Sequence, residues 1–247
     1  MIATIEHKGN NFKVNLSQPI DISLNLSADD KNPRAWYVPQ PRIEPVVIDQ
    51  WVGEVKQGAS VNFFNIHFNP HGHGTHTECV GHISETKESV NDCVKKFFYF
   101  AKVITLNPKK IGADFVITKE QLSSINPKEI EAIIIRTTPN DDSKKSRRYS
   151  NTNPPYLHHE AASYLKTLGV QHLLIDLPSV DKEKDDGQLL AHHAFWNHPE
   201  NPRLKCSITE LIYVPNSVKD GNYLLNLNFA PFENDASPSR PTLYALL

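Results

Sequence analysis

Four of the twelve histidines, His71, His73, His76 and His82, fall within one twelve-residue window. An even spread would place roughly half of one there, so composition does not account for the cluster. Imidazole nitrogen is a good ligand for Zn, Mn, Fe or Co, and a carboxylate joins it in mixed sites. His76 and Glu78 stand two apart, so in an extended segment both project to the same side. Gly72, Gly74 and Gly81 permit the backbone angles and close approach that let nearby ligands converge. Thr75 is placed to orient one of them through its hydroxyl. The chemistry to expect is that of a divalent-metal centre. Two blander or rival readings are a glycine-rich surface loop with exposed histidines and a cysteine hydrolase using Cys79 beside His76 or His82. A cysteine in such a place more often packs as a small residue.

The surrounding pattern describes elements able to hold such a cluster. Residues 3–16 alternate around Gly9-Asn10-Asn11 and predict a β-hairpin, with a further strand over Ile20 to Leu26. Prolines 33, 39, 41 and 45 cannot donate ladder hydrogen bonds, so residues 32–45 read as an ordered loop of the kind often found beside a site. Phe97 to Leu106 is rich in aromatic and β-branched residues and predicts a strand buried on at least one face. Thr118-Lys119-Glu120-Gln121 has the spacing of a capping box opening a short helix. A β-α-β unit follows: strand Ala132–Thr137, helix His159–Leu168 closed by Gly169, strand His172–Asp176. Ile208–Val214 and Tyr223–Phe229 complete a strand-rich C-terminal part. No repeat, low-complexity tract or linker interrupts residues 1–247, so a single domain is expected.

Lys and Arg (26) nearly balance Asp and Glu (28), for a net charge of -2. That supplies no strong field for nucleic acid or anionic lipid, and neither is an expected partner. No apolar run is long enough to span a bilayer, and the first residues lack the pattern of a signal peptide. Cys79, Cys93 and Cys206 are odd in number and form no CxxC pair, which argues against a disulfide framework and for a reduced, cytoplasmic setting.

The segment from His71 to His82 resembles the signature His-x-Gly-Thr/Ala-His-x-Asp-x-Pro-x-His of the cyclase family of metal-dependent hydrolases, whose members include bacterial kynurenine formamidases and isatin hydrolases. Gly74, Thr75, His76 and His82 match in register, Glu78 takes the aspartate position and Val80 the proline position. The register puts Gly72 where the family has its first histidine, so His71 or His73 must supply that side chain; a one-residue bulge at Gly72 would favour His71. Pro19-Ile20-Asp21-Ile22-Ser23, Ile133-Ile134-Ile135-Arg136-Thr137, Asp176-Leu177-Pro178-Ser179-Val180-Asp181 and Ser237-Pro238-Ser239-Arg240 are similar to further family segments, in order.

The resemblance implies an α/β fold in one domain, with a mixed, curved β-sheet or barrel-like core and peripheral helices. It also implies a mononuclear or binuclear centre with Zn or Mn held by His71, His76, Glu78, His192 and Glu210, and His82 as the catalytic histidine. His193 is the alternative to His192, since neighbouring helical residues point different ways and only one is expected to face an ion. Glu210 read without the first cluster would be a charged edge residue. The implied reaction is hydrolysis of an amide, formamide or lactam, arylformamidase-like. A metal lowers the pKa of bound water toward ~7, and an imidazole with an ordinary pKa near ~6.5 suits proton transfer to the leaving nitrogen. A homo-oligomer, dimer or tetramer, is implied too. The competing readings are a cyclase or dehydratase on the same fold and a non-catalytic metal- or ligand-binding protein. The substrate is not legible, although Trp36, Tyr37 and Trp51 flank the proline-rich loop and could stack on an aryl ring or sit in the core.

Overall fold

The computed structural model describes residues 1–123, 125 and 130–247. Its main sheet runs in the order Gly221–Phe229, Phe98–Leu106, Ala132–Thr137, His172–Ile175, Ser207–Glu210, His76–Glu78, Ala236–Ala245 and Ile20–Asp21. The first and seventh of these also pair with each other, from Tyr223 opposite Ala245 to Phe229 opposite Ser239, so seven strands close into a barrel. Four consecutive strands, from Phe98–Leu106 to Ser207–Glu210, are parallel and the remaining pairings antiparallel, which makes the sheet mixed as expected. Closure leaves no long unpaired edge, because only the two-residue strand Ile20–Asp21 is appended outside it.

Alternation along the strands sorts the core into two faces. Ala132 and Ile134 pack with Tyr99, Val103, Leu174 and Leu225 on the enclosed face. Ile133 and Ile135 pack with Leu173 and Ile175 on the other face, against Leu165 of the helix His159–Thr167 and Trp196 of the helix Leu190–Trp196. The first helix ends as its glycine predicts: Gly169 takes a φ of 77° and Val170 N–H closes back on Leu165 O at 3.1 Å.

Three expected elements are shorter than the pattern suggests. The strand from Ile20 stops at Asp21, whose carboxylate accepts from Ser23 N at 2.9 Å and Ser23 Oγ at 2.6 Å in a local turn. The strand from Ser207 stops at Glu210 because Leu211 turns the chain with a φ of 52°. Thr118 opens a 3-10 turn, Lys119–Leu122, with Thr118 N donating to Gln121 Oε1 at 3.0 Å. The expected N-terminal hairpin is present, Ile2–His7 paired with Asn10–Asn15, with its turn at Lys8-Gly9 and Asn10 and Asn11 already in the second strand.

Residues 42–67 leave the barrel as an arm of short paired strands, Arg42–Pro45 with Phe64–His67 and Val47–Ile48 with Trp51–Val52. Its apolar side chains are largely uncovered, Val47 by 63%, Phe63 and Ile66 by 55% each. Among the described residues no helix is long and apolar enough to cross a membrane.

Candidate metal centre

The strand His76–Glu78 lies between Ser207–Glu210 and the closing strand Ala236–Ala245, with His76 opposite both Glu210 and Pro238. Its period of two sends His76 and Glu78 to one face and Thr77 to the other, where Thr77 Oγ1 lies 2.8 Å from Thr209 Oγ1. Thr75, expected to orient a ligand, instead accepts from Leu24 N at 2.8 Å and donates to Leu211 O, pinning the backbone beside Glu210.

On that face the predicted side chains meet. His76 Nε2 is 3.4 Å from Glu210 Oε2 and 4.0 Å from Glu78 Oε2. His71 Nδ1 is 3.1 Å from Glu78 Oε2, and His192 Nε2 is 3.1 Å from Glu78 Oε1 and 3.8 Å from Glu210 Oε1. His82 Nδ1 stands 3.9 Å from Glu78 Oε2. The two residues that sequence left as alternatives point elsewhere. His73 Nδ1 accepts from Asn69 N and its Nε2 faces Pro39 O at 2.7 Å, while His193 Nδ1 faces His198 O. The turn that achieves this is not a bulge: Pro70–His73 forms one helical turn, capped by Asn69 Oδ1 accepting from Gly72 N at 3.0 Å. A Cβ at Gly72 would stand 2.6 Å from Val38 Cγ2, so no larger residue fits there unless Val38 moves.

Three of the inward-facing imidazoles are held by their other nitrogen. His192 Nδ1 lies 2.5 Å from Asp181 Oδ2, His71 Nε2 2.9 Å from Asp235 Oδ2, and His76 Nδ1 3.0 Å from Gly74 O. Such partners fix the tautomer and ring direction of a metal-binding histidine. Two fully buried atoms at the centre, His76 Nε2 and Glu78 Oε2, make no well-directed hydrogen bond among the described residues, His71 Nδ1 at 3.1 Å from Glu78 Oε2 and Glu210 Oε2 at 3.4 Å from His76 Nε2 being only close ionic neighbours. Unpaired buried polar atoms are costly, and a cation between them would satisfy both. A tetrahedral ion with bonds of about 2.0–2.2 Å holds its ligand atoms roughly 3.3–3.6 Å apart. The observed separations bracket that spacing, so the residues fit a divalent metal.

Charge points the same way. Glu78 is fully buried and Glu210 nearly so, and no lysine or arginine pairs with either among the described residues. Without a metal the imidazoles must carry the balancing charge. Burial opposes protonation of His71, but the carboxylates of Asp235 and Glu78 prevail and raise its pKa to about 10. Burial likewise opposes charge on His192, which Asp181 and Glu78 nonetheless hold well above the usual imidazole range. Glu78 is kept ionised against its own burial by His82, His192 and His71. A divalent cation would take over the role of those protons.

Two carboxylates at the site went unassigned in the sequence. Asp181 was visible only as the last residue of a family-like segment. Asp235 sits just before the closing strand, with nothing in its spacing to separate it from other acidic residues. Cys79, the rival nucleophile, is buried, donates to Glu88 O, and has its thiol pKa pushed up by its contact with Cys93 and by burial. A cavity of about 350 Å³ opens onto the centre, with Trp36, Val38 and Leu189 among its walls and His71, His82 and His192 at its polar side. Tyr37 and Trp51 do not line it; Tyr37 donates to Glu183 Oε1 at 2.8 Å and Trp51 lies in the arm against Phe63.

The family described as Putative cyclase matches residues 14–182. This chain belongs to the cyclase family. It is 30% identical over 193 residues to the kynurenine formamidase of Bacillus cytotoxicus, covering 77% of this chain and 84% of the relative. To that of Bacillus mycoides it is 29% identical over 233 residues, 92% and 97% of the two chains. The structure of isatin hydrolase A from Labrenzia aggregata bound to benzyl benzoate superposes with a TM-score of 0.66 at 17% identity, covering 93% of this chain and 94% of that one, and so shares the fold. The family match ends before His192 and Glu210, which the tertiary structure carries to the matched His76 and Glu78.

Proposed function

We propose that this chain is a divalent-metal-dependent hydrolase of non-peptide C–N bonds, with a small formamide, amide or lactam as substrate and an arylformamide as the first candidate. The observation that carries this reading is the pair of buried atoms His76 Nε2 and Glu78 Oε2, neither in a well-directed hydrogen bond, facing one another across 4.0 Å inside a ring of further nitrogen and carboxylate donors. His71, His76, Glu78, His192 and Glu210 would hold the metal, with Zn or Mn suited to a histidine and carboxylate donor set. When bound, such an ion supplies Lewis acidity, acidifying water and polarising a carbonyl.

The chain's own residues do the rest. His82 lines the cavity and makes no protein hydrogen bond through Nε2 among the described residues, so that nitrogen is free to take a proton from attacking water and pass it to the leaving nitrogen. Trp36, Val38 and Leu189 offer an apolar wall for the organic part of the substrate. Fold and site are read as one domain spanning 1–247. The uncovered apolar arm over residues 42–67 supports a homo-oligomer, because a patch of that character is seldom left to solvent. Three free thiols suit a reducing compartment such as the cytoplasm.

Elemental analysis of the purified protein, then turnover of formamides, lactams and cyclic imides before and after chelation, tests the reading. Activity that disappears with chelator and returns with Zn or Mn is expected. Tight metal binding with no turnover across the panel would favour a non-catalytic binding protein instead.

A further inference from the structure

One carboxylate oxygen, Asp235 Oδ2, lies 2.9 Å from His71 Nε2 and 3.1 Å from His82 Nδ1. The two imidazoles stack with centroids 4.3 Å apart and planes 29° from parallel. An ionised carboxylate only accepts hydrogen bonds, so both ring nitrogens facing it must carry protons. In a neutral ring that leaves Nε2 of His82 as the bare nitrogen, and Nδ1 of His71, which is protonated toward Glu78 Oε2 at 3.1 Å without a metal, as the nitrogen a cation would claim. The backbone at this point is built to hold the position: Asp235 O accepts from Cys79 N at 3.0 Å, and the preceding Asn234 O accepts from Val90 N at 2.8 Å. Asn234 Nδ2 reaches over to Ala236 O at 3.0 Å.

We infer that Asp235 is a positioning residue that sets the tautomer of His82 and, through the same oxygen, aims the candidate ligand His71. This deepens the hydrolase reading and rests on it. A histidine that removes a proton from water needs its lone pair toward the reacting atoms, and an acceptor on the opposite nitrogen secures that. Sharing one oxygen between the two rings ties the direction of the base to that of the centre, so neither ring turns without disturbing the other.

The test combines a measurement on the metal-free protein with kinetics. Two-bond nitrogen–proton correlations should show neutral His82 protonated on Nδ1 in the parent, and shifted toward the Nε2-protonated form in Asp235→Ala. An unchanged tautomer overturns the inference. With Zn or Mn saturating, Asp235→Ala should lower kcat by about 10²-fold with KM little changed, the order expected of a disabled general base. With metal saturating, so that any weakening through His71 is compensated, the double variant Asp235→Ala/His82→Ala should be no slower than His82→Ala alone, since residues acting as a unit are non-additive. Losses that multiply would instead assign Asp235 a separate structural role. Should Asp235→Ala fold poorly, Asp235→Asn preserves the volume and the backbone bonds and should show a smaller tautomer shift in the same direction. A second equivalent of Zn, bound by the parent and lost equally in His82→Ala and Asp235→Ala, would make the three side chains a ligand set and sink the assignment. If the parent turns over nothing in the panel, the hydrolase reading fails, while the tautomer measurement still decides what Asp235 does.

Discussion

Asp181 offers the sharpest test of how the centre is supported. Its Oδ2 lies 2.5 Å from His192 Nδ1 and accepts from His192 N at 3.1 Å, and its Oδ1 accepts from Ala191 N at 2.7 Å. All three donors are buried, at the start of the helix Leu190–Trp196. Asp181→Ala leaves them unpaired, and with losses of 1–3 kcal/mol per buried group, only partly additive, the metal-free protein should lose about 2–4 kcal/mol. Loss of an outer partner of a ligating histidine typically weakens metal binding about 10- to 100-fold, or roughly 1.4–2.7 kcal/mol.

Asp181→Asn separates the two effects. Its amide oxygen can still receive Ala191 N–H, although its NH₂ group strands His192 N–H, so stability should fall less than in the alanine variant. Its NH₂ group, however, would meet a ring N–H, and the remedy is for His192 to move its proton to Nε2, the nitrogen that faces Glu78. Zn affinity should therefore fall in the asparagine variant about as far as in the alanine variant. Chelator-competition titrations and urea unfolding of chelated protein give the two quantities independently. Affinity within twofold of the parent in both variants would refute the idea that Asp181 orients a ligand.

His82→Ala should keep its metal while kcat falls something like 10²–10⁴-fold, whereas His76→Ala should lose metal and activity together; equal metal loss in both would make His82 a ligand. Asp176→Ala should destabilise by about 3–5 kcal/mol in urea unfolding, because it strands the buried Lys144 ammonium now 2.7 Å from Asp176 Oδ2. His172, buried against Tyr99 and 2.8 Å from Ser207 Oγ, has its pKa pushed down to about 3 by burial, with Lys96 and Arg203 adding to the effect. Between about pH 6.5 and 3 the unfolded chain then binds a proton that the folded protein refuses, so stability is full above that window and drains as pH falls through it. At roughly 1.4 kcal/mol per pH unit the loss by pH 4.5 is about 2–3 kcal/mol, which His172→Gln should abolish in paired unfolding curves at pH 7 and 4.5. Replacing Phe63 and Ile66 together by glutamate should lower the mass found by light scattering without unfolding the barrel; an unchanged oligomer would place the interface elsewhere.

How far the site could be read in advance depended on sequence distance. His76 and Glu78 were legible as a pair because a strand's period of two is a local property. His82 was legible because it closes a short family-like segment. His71 was favoured over His73 on the ground of a bulge at Gly72, whereas the structure brings its ring to Glu78 through a single helical turn in which Gly72 packs closely on Val38. His192 over His193 was left open, because Asp181 reaches across to the helix start and captures one ring. Asp235 carried no signal, because a lone acid gains meaning only from what pairs beside it.

Local chemistry and pattern thus determined the kinds of element and most of their places: the hairpin, the β-α-β unit, the glycine-closed helix and the richest stretch of ligating side chains. They overran where a turn depends on contacts made elsewhere, at Asp21 and at Leu211. The tertiary structure alone decided the closure of seven strands through the pairing of Tyr223–Phe229 with Ser239–Ala245, and with it the delivery of Asp235 to His71 and His82. It also decided that Glu210 lies inside the sheet opposite His76, not at an edge. The physical reason is that backbone periodicity acts over a few residues, whereas the positions of buried charges are settled by which distant strands share hydrogen bonds.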